Sequence, residues 1–274
     1  MNKKGRNIAK IALGVSVFAA ILAYVLDILI SHSSPFKFLW IVLIISLTCL
    51  GTMIKLIVDD VKDVLCETEE KYQKDIVGAF DSEEKAKRKL LWAVYCFSRG
   101  KNEKSLQILK NLEPKCTVSG DFRAVLLFMA LSYANLGQNM QAIYSYEKAV
   151  KTGYATSNIH NNLGHLYAKA GDTMQAHQNY DMAIYYDSTN VAAYHNKAQL
   201  CFKDGNLEMA LDLSKKALEI NSEYRPCLTL VAVIYSLQEK GEESIWAKGK
   251  AIEAGESPAT IDRLIEYYKK PKEV

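Results

Sequence analysis

Residues 156–190 read TSNIHNNLGHLYAKAGDTMQAHQNYDMAIYYDSTN, and this stretch decides the fold. Leu163, Gly164, Tyr167, Gly171, Ala176, Tyr180 and Ala183 sit at the spacing of two helices joined by a tight turn. The same residues return at a fixed period of 34. Gly171 matches Gly137 and Gly205, Ala176 matches Ala142 and Ala210, and Ala183 matches Ala149 and Ala217. Three positions kept through three copies at one period mark a repeat array. Gly164 and Ala176 are small enough to let antiparallel helices approach, and Leu163, Tyr167 and Tyr180 fill the space between them. Gly171 supplies a turn with positive φ, and Asp172 caps the second helix. One such hairpin cannot bury its apolar face alone, so neighbours must stack on it.

On these residues the stretch resembles a tetratricopeptide repeat (TPR). The family pattern asks for a large residue, then Leu-Gly, Tyr, Gly, Ala, an aromatic and Ala. Here His160 stands at the first position, and Ser188 stands where the family places a proline. The resemblance implies an all-α solenoid of antiparallel helix pairs in a right-handed superhelix. About five pairs span 85–257, clearest at 123–156, 157–190 and 191–224. The first is degenerate and keeps Trp92, Cys96, Gly100, Leu109 and Leu112. The second keeps Met129, Ala130, Tyr133 and Tyr146. The fourth keeps Tyr194 and Ala198 but has Lys197 and Ser214 where bulky apolar residues are expected. The fifth keeps Tyr235, Ser244 and Ala251. Residues 258–274 read as a capping helix and tail, with Ile261, Leu264, Ile265 and Tyr268 on one side.

The chain of 274 residues has a formal net charge of +3, unevenly placed. Six of its 34 basic and two of its 31 acidic residues precede Asp60, so Asp60 to Val274 carries 28 basic and 29 acidic residues. That near-neutral part has no electrostatic footprint for nucleic acid. Cys49, Cys66, Cys96, Cys116, Cys201 and Cys227 form no C-x-x-C pair and suit a reducing compartment better than a disulfide framework.

The apolar residues are concentrated early. After a basic tail, 1–10, residues 11–30 form an apolar run with one acid, Asp27. Its length matches the ~30 Å hydrocarbon core and exceeds a signal-peptide core of about 7–15 residues. A second run, 38–58, carries one charge, Lys55. The short connector SHSSPFK makes the pair a transmembrane helical hairpin. Lys3, Lys4, Arg6 and Lys10 before it, and Lys55 and Lys62 after it, outnumber Lys37 in the loop, so both termini and the repeats are expected in the cytoplasm. Asp27 and Lys55 sit near span ends, where interfacial placement accounts for them. Residues 59–84, with Val61, Leu65, Tyr72 and Ile76 at helical spacing, read as a helical stalk.

No phosphate loop, H-E-x-x-H, nucleophile elbow or kinase motif is present, so no enzyme activity and no cofactor is expected. His160, His165, His177 and His195 fall in adjacent repeats without a carboxylate or thiolate at a matching position, so no metal site is expected. By the resemblance, the stacked first helices form a concave groove. In the third repeat that face carries Asn158, Asn161, Asn162, His165 and Lys169. In the fourth it carries His195, Asn196, Gln199, Phe202 and Lys203. Asn162 and Asn196 are 34 apart and offer a donor and an acceptor each, which suits an extended peptide backbone. Leu127, Leu131, Ala192 and Asn196 occupy the places where chaperone-binding members carry Lys and Arg, which argues against a carboxylate clamp. The expected partners are a protein or peptide in the groove and the bilayer around the hairpin. The alternative is a self-associating structural component, with another copy of the chain in the groove.

Overall fold

The computed structural model describes residues 35–269; the basic tail and the first expected span, 11–30, lie outside the described residues. Helix α1 (Pro35–Lys71) has 37 residues, a length of about 55 Å. Pro35 occupies its first position, where a missing N–H forfeits no helical bond. The helix therefore begins inside the expected 31–37 connector, and the second expected span and the start of the stalk form one uninterrupted rod. Leu47, Leu50, Met53, Ile54, Leu56, Ile57 and Val58 are all exposed on it. From residue 47 on, where the side chains are described, no helix is long and apolar enough to cross a membrane.

A short helix, α2 (Gln73–Ile76), follows. The chain then turns through Gly78 and Phe80, both at positive φ. Five helix pairs come next: α3 (Glu84–Ser98) with α4 (Asn102–Leu112), α5 (Ser119–Asn135) with α6 (Asn139–Lys151), α7 (Ser157–Ala170) with α8 (Thr173–Tyr186), α9 (Val191–Lys203) with α10 (Leu207–Ile220), and α11 (Arg225–Leu237) with α12 (Gly241–Glu253). A last helix, α13 (Pro258–Lys269), ends the described chain. Among the described residues there is no strand. Each helix packs against its pair mate, and each second helix packs against the next first helix. This is the helical solenoid that the repeat period requires.

The local chemistry of the pairs follows the sequence. Gly171 ends α7 at φ 83°, in the left-handed region. The Asp172 side chain accepts from the Gln175 N–H at 3.0 Å and caps α8. Thr156, Asn190 and Asn206 cap α7, α9 and α10 in the same way. These side chains satisfy backbone donors that the first turn of a helix leaves open. A Cβ on Gly164 would lie 2.7 Å from the Tyr180 ring, so a glycine there is what brings α7 and α8 together.

Apolar burial divides into unequal bodies. One large cluster runs from Ile76 to Leu166 and includes Leu90, Val94, Leu109, Phe128 and Tyr146. A second runs from Ala198 to Ile261 and includes Leu228, Ile234 and Ala251. Between them lies a small cluster of Ala176, Tyr180 and Leu200. The first cluster reaches back before residue 85. Ile76, Ala79 and Phe80 are buried in it, and Leu65 and Tyr72 pack against it. The buried Asp121 carboxylate fixes that connection, accepting from the Phe80 N–H at 2.7 Å and the Thr117 N–H at 3.0 Å. The second half of the 59–84 segment is thus part of the packed array. At the other end, α13 packs mainly on α11, the first helix of the last pair.

Candidate functional site

The first helices of the third and fourth pairs, α7 and α9, adjoin one another. The Asn196 amide donates to Asn161 Oδ1 at 2.9 Å and joins them directly. Along the expected inner face, Asn158, His165, Lys169, Gln199 and Lys203 are exposed, while Asn161, Asn162, His195 and Asn196 are half-buried. His165, Lys169 and Lys203 come together. Desolvation, with both ammonium groups beside it, lowers the His165 pKa. At neutral pH the imidazole is therefore a neutral donor and acceptor between two cations.

The two asparagines singled out by their 34-residue spacing are already engaged. The Asn162 amide donates to the Tyr146 hydroxyl at 3.0 Å, across to the preceding second helix. The Asn196 amide reaches Asn161 instead. Equivalent positions thus make different bonds, because Tyr146 has no counterpart bonded to Asn196. Each carboxamide serves the stacking of repeats as well as the face it lies on.

Two of the ten expected groove residues are turned to other tasks. His195 Nδ1 lies 3.5 Å from Cys227 Sγ, and its ring meets Tyr224 edge to face. Burial drives the His195 pKa down to about 4 and the Cys227 thiol up to about 12, so both are neutral at about pH 7. Phe202 is buried against Tyr268 of α13, with ring centroids 4.7 Å apart and planes at 82°. The period of 34 did not predict Cys227, which is 32 residues from His195, or Tyr268, which belongs to the non-repeating end.

The other histidines are scattered. His160 Nδ1 meets Asn179 Oδ1 at 3.0 Å, and its ring stacks on Tyr186. It fills the large-residue position of its repeat. His177 Nε2 meets Asp204 at 2.9 Å on the second-helix side. Among the described residues no three His, Cys, Asp or Glu side chains converge as metal ligands would.

Comparison with known proteins agrees with this architecture. The family pattern described as Tetratricopeptide repeat matches residues 191–224, the bounds of the fourth pair with its connection. Among solved structures, MamA from Desulfovibrio magneticus RS-1 is 17% identical with a TM-score of 0.53, covering 69% of this chain and 98% of its own. YrrB, described as a TPR protein with an unusual peptide-binding site, is 17% identical with a TM-score of 0.53, covering 76% and 98%. The Pseudomonas aeruginosa pilF structure is 15% identical with a TM-score of 0.57, covering 68% and 86%. At these identities the likeness is one of fold. No curated protein matches the sequence.

Proposed function

We propose that this chain, a solenoid with a tetratricopeptide repeat at 191–224, is a membrane-anchored scaffold that binds a protein or peptide partner on the inner face of its first helices. The observation that carries the partner reading is the row of exposed polar side chains on adjacent helices: Asn158, His165 and Lys169 on α7, then Gln199 and Lys203 on α9. Donors and acceptors in that order suit an extended backbone, and the rigid pairs hold them without the entropy loss of loops. The peptide-binding site named for YrrB makes the same kind of ligand a reasonable expectation here.

The anchor is the hairpin of 11–30 and 38–58, with the repeats on the cytoplasmic side. Its support is the two apolar runs, their flanking lysines and arginine, and the uncovered apolar side chains from Leu47 to Val58. Protease protection in sealed vesicles tests the topology: cleavage of the array from the non-cytoplasmic side would refute it.

The groove is tested by peptide selection on the purified full chain in detergent. The triple change Asn158→Ala, His165→Ala, Gln199→Ala alters exposed positions only. Selected peptides should bind it at least tenfold more weakly, about 1.4 kcal/mol. Equal binding would move the site off this face. Asn162→Ala is a poor first choice, because it also removes the bond to Tyr146.

Self-association is the second reading. Met140 and Tyr144 on α6, Met174 on α8, and Ile245 and Trp246 on α12 are exposed, apolar surface that a second array can cover. A monomer by light scattering at all concentrations would exclude it.

A further inference from the structure

A groove of about 690 Å³ opens between α1 and the first helix pair. Its floor is apolar: Val61 and Leu65 from α1, Trp92 from α3 and Ile108 from α4. Its rim is cationic, formed by Lys85, Arg88 and Lys89 on successive turns of α3. We propose that this groove binds an anionic phospholipid, with the headgroup phosphate on the basic rim and the start of the acyl chains over the apolar floor. The proposal rests on the reading of 38–58 as a membrane span.

Depth is the first argument. Val61 and Leu65 lie three and seven residues past Val58, the end of that span. At 1.5 Å per residue this is about 4–10 Å below the hydrocarbon edge, within or just beneath a headgroup layer about 5–7 Å thick. The groove therefore opens where headgroups are.

Charge is the second. Glu84 also lines the groove, and its carboxylate accepts from Arg88 Nε at 2.7 Å. One cation of three is thus partly neutralised, and the rim stays positive. Lys104 lies 5.9 Å from the Trp92 ring but does not line the groove. Lys87 points elsewhere, to Glu69 at 3.0 Å and Asp81 at 3.4 Å. Asp59, Asp60 and Asp63 of α1 lie at the same level but do not line the groove. Near a membrane surface each basic group adds to the attraction for anionic lipid.

Side-chain type is the third. Trp92 and Tyr95 stack with ring centroids 5.2 Å apart on this helix. Such amphipathic rings favour the membrane–water interface, where one edge is apolar and the other wet. Elsewhere, the groove of about 710 Å³ beside Trp246 has a mixed rim, with Glu219, Glu223 and Glu253 against Lys215 and Lys250, so its charge selects no ligand.

The test uses the full chain in lipid nanodiscs. Trp40→Phe and Trp246→Phe leave Trp92 as the sole tryptophan. Phosphatidylglycerol brominated near the head of its acyl chains should quench Trp92 saturably as its fraction rises in phosphatidylcholine. Brominated phosphatidylcholine should quench it weakly and without saturation. Adding Lys85→Gln, Arg88→Gln and Lys89→Gln should weaken the phosphatidylglycerol effect at least roughly tenfold, with helical content unchanged by circular dichroism. Equal quenching by both lipids, or no change in the triple variant, overturns the lipid site while leaving the anchor intact. A chain that fails to enter nanodiscs at all overturns the anchor and the site with it.

Discussion

The third and fourth repeats both keep the turn glycine and the two helix-packing alanines of the family pattern, yet the smallest apolar cluster of the array lies between them: Ala176, Tyr180 and Leu200. The first two pairs, one of them degenerate in sequence, share a cluster built on Leu90, Leu109, Phe128 and Tyr146. The weak fifth repeat supplies most of the cluster around Ile234. The middle is tied instead by polar bonds. Asn190 donates to Ser157 Oγ at 2.7 Å, which donates to the Ala183 carbonyl at 2.7 Å. Tyr167 donates to Glu147 across the preceding junction, and Lys197 reaches Asp181 across the next. The pattern residues therefore specify how two helices of one pair meet. How strongly one pair holds the next is set by the residues between them.

Alanine substitution in the two kinds of region should separate these roles. Phe128 is 1% exposed, and its ring meets both Tyr72 and Phe97 edge to face. Phe128→Ala should cost about 3–5 kcal/mol, because it leaves a cavity between Tyr72 and Phe97. Leu200→Ala, in the small middle cluster, should cost nearer the lower end of the range for leucine, about 2 kcal/mol. Urea unfolding of the two variants measures both. Equal losses would mean that the middle is packed as tightly as the ends. If the losses differ, unfolding should begin between the large clusters, as expected for a nearest-neighbour array.

Gly164→Ala probes the pair geometry itself. The added Cβ would meet two ring carbons of Tyr180 at 2.7 Å. That ring is 2% exposed and cannot swing clear. A loss of about 1–3 kcal/mol is expected from the overlap. Combining it with Tyr180→Leu should recover part of that loss, and a simple sum of the two single effects would show that the contact is not the cause.

Acid should loosen the fourth junction in particular. Burial holds the His195 pKa near 4, below its ordinary value of 6.5. Between those values the unfolded chain binds a proton that the folded chain refuses, so this contribution to stability is lost as pH falls. From pH 7 to pH 5 the loss is about 2 kcal/mol for this one group. His195→Asn should flatten that slope relative to the wild type, although other groups also titrate. Parallel slopes would mean that His195 takes up its proton in the folded state without penalty. His165 shifts in the same direction, with Lys169 and Lys203 contributing.

The helix pairs were legible because periodicity encodes nearest-neighbour stacking, and one repeat repeats the problem of the last. The 34-residue step placed Gly137, Gly171 and Gly205 in turns, and all three have positive φ. It also put Lys169 and Lys203 on one face. The ends were not legible in this way, since nothing periodic specifies what a terminal pair must cover. Phe80 reaches Asp121 over 41 residues, and Phe202 takes Tyr268 as a cover. Among the described residues neither contact has a copy. The candidate face was thus readable as a row of side chains. Whether each member was free was not, because Asn162, His195 and Asn196 are claimed by contacts that do not recur at the 34-residue step.

The smallest expected effect lies where the period holds but the residue does not. Position 239 is 34 past Gly205 and performs the same turn, with Glu239 at φ 58°. A side chain in that left-handed region is strained by roughly 1–2 kcal/mol, and the fifth repeat bears that strain. Glu239→Gly removes it but adds freedom to the unfolded chain, leaving a net gain of about 0.5–1 kcal/mol. The same exchange made in reverse, Gly171→Glu, should lose a similar amount in the middle. If Glu239→Gly stabilises and Gly171→Glu destabilises by matching amounts, the turn has one energy wherever it occurs. The unequal strength of the array then resides wholly in the junctions. A gain at 239 without a matching loss at 171 would mean that the weakly packed middle relaxes around a strained turn that the apolar end cannot accommodate.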